Sequence, residues 1–109
     1  MHVRLVRMHV PPDKIDDFIQ LWQNEMLPTA KAQNGWRGAQ LFVDRATGNT
    51  RIVGFWETEA DARATGNMGG AHVQTQQDIA ASLMGERPTV EMEYYEVAGE
   101  AWEERAAGT

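Results

Sequence analysis

From His2 to Val10 the residues fall into two alternating sets, His2, Arg4, Val6, Met8 and Val10 on one side and Val3, Leu5, Arg7 and His9 on the other. A period of two is that of a β-strand, whose successive side chains point to opposite faces. Pro11 and Pro12 close it, because proline has no N–H for a ladder, and with Asp13 in the first turn they suit the start of a helix. Ile15, Phe18, Ile19, Trp22 and Met26 then recur at spacings of three and four. That spacing predicts an amphipathic helix of about three to four turns, which Pro28 bends or ends. Asn34-Gly35 supplies the left-handed residue that closes the helical stretch. Ala39, Leu41 and Val43 alternate with Gly38, Gln40 and Phe42 as a second strand. A turn cluster from Asp44 to Asn49 reverses the chain into the β-branched and aromatic run from Arg51 to Trp56, giving a hairpin.

Thr58-Glu59-Ala60-Asp61 has the form of a capping box, with the Thr58 hydroxyl placed to accept an N–H of the next turn and Asp61 to reach back. Gly66, Gly69 and Gly70 should break or kink the helix that opens there, each costing about 1 kcal/mol relative to alanine. Helix resumes through Val73, Gln76, Ile79, Ala80, Leu83 and Met84 until Gly85, and Pro88 stops it. Thr89 to Val97 alternates again as the last strand, so residues 1–97 form one domain and 98–109, rich in Ala, Glu and Gly, a loosely held tail. Strand, helix, strand, strand, helix, strand is the α+β, ferredoxin-like βαββαβ order, with a four-stranded antiparallel sheet and helices on one face only. Yet both faces carry large apolar groups: Val6, Met8, Leu41 and Met92 on one, Leu5, Phe42, Val53, Phe55 and Tyr95 on the other. At about 25 cal/mol per Å² of apolar surface, leaving the second set wet would forfeit several kcal/mol. A homodimer joined sheet to sheet is the simplest remedy.

Composition narrows the partners. The chain has 109 residues and a formal charge of −6, so it lacks the positive field that nucleic acid or an anionic membrane surface requires. With no cysteine, disulfides and thiolate chemistry are excluded, and a cytoplasmic location is expected. Charges interrupt the apolar residues at the N-terminus, unlike a signal peptide.

Several residues are candidates for chemistry, each with a plainer alternative. His72, after Gly69-Gly70-Ala71, is either a proton-transfer group titrating near neutral pH or a helix-start histidine without a role. Asn67 either hydrogen-bonds a substrate oxygen or belongs to the Gly66-Asn67 turn. Trp56, Trp22 and Phe18 are core residues that can also wall a pocket, and Tyr94 either packs or orients an aromatic ligand. Arg7 shares a strand face with His9 and needs a partner such as Glu91 or Glu93; the alternative is an anion clamp. His2, His9 and His72 lack the close spacing of a metal motif, so no metal site is expected.

The glycine turn in Asn34-Gly35-Trp36-Arg37-Gly38, then Gln40-Leu41-Phe42-Val43-Asp44-Arg45 with Thr47-Gly48, and Val53-Gly54-Phe55-Trp56-Glu57-Thr58-Glu59-Ala60-Asp61-Ala62 resemble the antibiotic biosynthesis monooxygenase (ABM) domain. The resemblance spans residues 2–97. It implies a homodimeric α/β barrel with a pocket in each subunit between sheet and helices. The family includes cofactor-independent oxygenases of polycyclic phenols and haem-degrading proteins. In the haem-degrading branch an asparagine on the first strand is paired with an aromatic and a histidine on the second helical region. His72 can stand for that histidine, whereas the first strand offers Arg4, Arg7 and His9 and no asparagine, and the helical tryptophan is missing. The resemblance therefore implies a cofactor-independent monooxygenase of an aromatic, polyphenol or quinone-type substrate. His72 would be the base, Asn67 or Arg7 the anion partner, Trp56 and Trp22 the wall, and no cofactor would be needed. The alternatives are a non-catalytic dimeric module that holds a small hydrophobic ligand, and a haem-binding protein.

Overall fold

The computed structural model describes residues 1–103. Four antiparallel strands, β1 (His2–His9), β2 (Trp36–Val43), β3 (Asn49–Trp56) and β4 (Glu91–Glu96), form one sheet in the order β2-β3-β1-β4. The helical segments α1 (Ile15–Leu21), α2 (Leu27–Lys31), α3 (Glu59–Thr65) and α4 (Ala71–Met84) complete the ferredoxin-like α+β fold expected from the order of elements. Among the described residues no helix is long and apolar enough to cross a membrane.

Pro28 does not end the first helical stretch. Trp22–Met26 forms a π-helical turn between α1 and α2, in which Leu27 N–H donates to Trp22 O, and helix continues to Lys31. A proline at position 28 cannot donate to the carbonyl four residues back, and widening the preceding turn absorbs that loss. Thr58 caps α3 as expected, accepting the Asp61 N–H at 3.1 Å. Asp61 does not reach back to complete the box; its carboxylate accepts from Asn34 Nδ2 at 3.2 Å and so ties α3 to the entry of β2.

Strand alternation sorts the sheet into two faces. Met8, Val10, Ile15, Phe18 and Met26 make the buried core, with Leu41, Ile52, Ile79, Leu83 and Val90 packed against it. On the other face Phe42 and Tyr95 remain 50% and 51% exposed. β2 departs from strict alternation: Trp36 pairs with Trp56, but it is Gly38 that pairs with Phe55. The extra residue of this bulge turns Trp36 to the same side as Ala39 and Leu41, toward the helices. The last residues of the tail, 104–109, lie outside the described residues, and Trp102 is exposed.

Gly35 sits at φ +79° where the chain leaves α2 for β2, and a side chain there would run into the Asp61 carboxylate. Its carbonyl accepts the Glu57 N–H at 2.8 Å. Gly35→Ala is expected to lower stability by about 1–3 kcal/mol through the positive φ and the collision. A drop in the urea midpoint at unchanged slope checks this; an unchanged midpoint contradicts it.

Candidate functional site

Between the helices and their face of the sheet lies a cavity of about 90 Å³. Its walls are mostly apolar, with the indoles of Trp22, Trp36 and Trp56 around Val6, Ile52 and Met92; its polar groups come from Arg4, His72 and Gln76. Arg4 reaches it because β1 alternation puts Arg4 on the same face as Val6 and Met8. Gly54 makes room, since a Cβ there would lie 2.9 Å from Trp56 Nε1.

Arg4 is 8% exposed. Its Nη1 donates to Ala62 O and to Thr65 Oγ1, each at 2.6 Å, which binds the last turn of α3 to the sheet. Its guanidinium carbon stands 4.9 Å from the Trp56 ring centroid, a cation–π geometry. Burial lowers the Arg4 pKa while Tyr94 works the other way, and arginine stays protonated at any physiological pH. Gly66 allows this packing, because a Cβ there would collide with the Tyr94 hydroxyl and press on Arg4 Cδ.

His72 occupies the first turn of α4. Burial first, and then the charge of Arg4, hold its pKa below the ordinary 6.5, so the imidazole is neutral at neutral pH. One turn on, Gln76 Nε2 donates to Met26 O at 3.0 Å and lies 3.5 Å from His72 Nε2. In the neutral ring one nitrogen carries the proton and the other the lone pair that can accept one. His72 Nδ1, Trp56 Nε1 and Gln76 Oε1 are buried without a hydrogen-bond partner among the described residues.

Of the residues picked from the sequence, His72, Trp56 and Trp22 meet at this cavity. Phe18 is fully buried in the core and does not line it. Tyr94 lies beside Arg4 on the helix-covered face, under the Arg63 guanidinium at 4.3 Å, with its hydroxyl donating to Met92 Sδ at 3.8 Å. Arg7 is on the opposite face, 3.8 Å from both Glu91 and Glu93. Asn67 is exposed in the turn before α4, where its Oδ1 accepts the Gly69 N–H at 3.0 Å. Arg4, Trp36 and Gln76 join His72, Trp56 and Trp22 at the cavity without being candidates from the sequence. The alternation of β1 already groups Arg4 with Val6 and Met8, and Gln76 stands one helical turn from His72. Trp36 carries no such signal, because only the bulge turns it inward.

Solved structures share this fold. A monooxygenase of Streptomyces coelicolor, ActVA-Orf6, in complex with the ligand Nanaomycin D superposes with a TM-score of 0.69 at 14% identity, over 94% of this chain and 92% of that one. The heme-degrader MhuD of Mycobacterium tuberculosis, with two hemes bound in its active site, gives 0.69 at 16% identity, over 94% and 100%. A protein of Deinococcus radiodurans gives 0.63 at 17% identity, over 97% and 100%. No curated protein matches the sequence significantly. At these identities the likeness is one of fold, and it is the sequence itself that assigns kinship: residues 1–74 match the model of the antibiotic biosynthesis monooxygenase family, and the chain belongs to that family.

Proposed function

We propose that this protein is a cofactor-independent monooxygenase of an electron-rich aromatic substrate, acting in the cytoplasm as a homodimer. The observation that carries the reading is a neutral imidazole, His72, set in an apolar cavity walled by three indoles. Indole faces suit a planar ring, and a neutral histidine is the form that accepts a proton. The Streptomyces coelicolor monooxygenase of the same fold, in complex with the ligand Nanaomycin D, supports a small organic ligand.

For a hydroquinone the chemistry balances without a reductant. The unprotonated ring nitrogen of His72 takes the phenolic proton. The phenolate passes one electron to dioxygen, and the two radicals join in a C–O bond, giving a ring hydroperoxide. Loss of the ring C–H proton and cleavage of the O–O bond release water and leave a carbonyl. One aryl diol and one dioxygen thus become one hydroxyquinone and one water. The mostly apolar walls limit contact of the intermediates with solvent.

A haem does not fit this cavity. Its volume of about 90 Å³ is well below the roughly 300–1,000 Å³ that drug-sized ligands occupy.

Oxygen uptake with a panel of single-ring hydroquinones and hydroxylated benzoquinones tests the enzyme. Turnover is expected, and His72→Ala should reduce kcat/KM by about 10²–10⁴-fold, the usual worth of a general base. Because protonation inactivates the base, activity falls as pH drops through the lowered His72 pKa, placing the acid limb below 6.5. No uptake across the panel overturns the enzyme reading in favour of a ligand-holding module. The dimer rests on the half-exposed Phe42 and Tyr95 of the open sheet face. Sedimentation at micromolar concentration should give twice the chain mass, falling to a single chain in the Phe42→Glu, Tyr95→Glu double variant; a monomeric wild type contradicts it.

A further inference from the structure

We propose that the cavity takes the oxyanion of a single-ring aromatic ligand, a carboxylate or an acidic phenol, with the Arg4 guanidinium as its counter-ion. The proposal rests on the reading of this cavity as the ligand site, and it goes further by fixing the ligand's charge and size.

Charge comes first. Arg4 is 8% exposed, yet among the described residues no carboxylate lies within salt-bridge distance of it. The seven ion pairs there involve His2, Arg7, Arg37, Arg45, Arg63 and Arg87 only. Nη1 is committed to Ala62 O and Thr65 Oγ1. Nε and Nη2 donate to no acceptor among the described residues, so one edge of the planar fork is unused. A buried cation without an anion is costly, and the guanidinium fork matches a carboxylate or phenolate oxygen. Beside it His72 is neutral, and the nearby Arg63, over the Tyr94 ring, is a second cation, itself paired with Glu59 at 2.7 Å. Trp56 Nε1, beneath Arg4, is a further donor without an acceptor. Among the described residues, then, a chain with a formal charge of −6 holds at its cavity a positive charge with no carboxylate paired to it.

Size follows from the walls. The cavity of about 90 Å³ adjoins a second of about 60 Å³, with which it shares Val6, Met26, Ile52, Val73, Gln76 and Met92. An apolar cavity of about 150 Å³ in an unrelated protein accommodates benzene. One aromatic ring therefore matches this space.

Anaerobic titration followed by tryptophan fluorescence and calorimetry tests the proposal without turnover. Benzoate and 4-nitrophenolate serve as carboxylate and phenolate probes, benzamide as the neutral match and 2-naphthoate as the larger anion. At least one single-ring anion should bind tenfold or more tighter than benzamide and 2-naphthoate, and the stronger of the two identifies the oxyanion. Arg4→Gln should abolish the preference over benzamide, and Arg4→Lys should keep part of it. Should Arg4→Gln fail to fold, the wild-type series decides alone. Benzamide binding as tightly as benzoate and 4-nitrophenolate, 2-naphthoate binding best, or no anion binding overturns the proposal. Anion binding without oxygen uptake on any hydroquinone leaves it standing while the oxygenase reading fails.

Discussion

A guanidinium is held on the apolar, helix-covered face of the sheet, and the site is organised around that charge. Arg4 lies on the central strand β1 between β3 and β4, stacks on Trp56 and holds the end of α3 through Ala62 O and Thr65 Oγ1. Burying a charge is expensive unless polar groups replace water. Here two oxygens and an aromatic face offset part of the cost, and the remainder makes the cavity receptive to an anion. The same charge, added to burial, keeps His72 neutral. Two features that catalysis would use, an anion partner and a base in its accepting form, thus share one physical origin.

The backbone around Arg4 is shaped to permit this. Gly54 leaves room for the Trp56 indole N–H, and Gly66 lets the Tyr94 hydroxyl and Arg4 side chain meet between α3 and α4. The β2 bulge brings Trp36 to the cavity, and the widened turn before Pro28 carries Trp22 and Met26. The bulge and the widened turn are departures from regular secondary structure that bear on one cavity, as expected where function constrains the chain.

Periodicity made the architecture legible in the sequence. A period of two marked the strands, spacings of three and four the helices, and Gly35 and Gly85 take the left-handed conformations that end helical stretches. Alternation also grouped Arg4 with the inward residues of β1, which is enough to make it a buried charge once the helices are placed. What the sequence concealed depends on register and local irregularity. Pro28 reads as a helix breaker, yet the π turn lets helix pass it. Trp36 sits on the outer face under strict alternation and on the inner face once the bulge is counted. Asn67 and Arg7 have suitable chemistry, but a turn directs one to solvent and strand parity puts the other on the open face.

Family membership and fold are shared with other proteins, and this chain's own residues give its cavity its character. The coupling of Arg4 to His72 is the most direct point of attack. An NMR titration of the histidine ring protons, with His72 assigned by its loss in His72→Gln, measures it. The expected result is a His72 pKa below 6.5 in the wild type that rises in Arg4→Met, because removing the neighbouring positive charge favours the imidazolium. A wild-type value at or above 6.5, or one indifferent to the substitution, would contradict the arrangement.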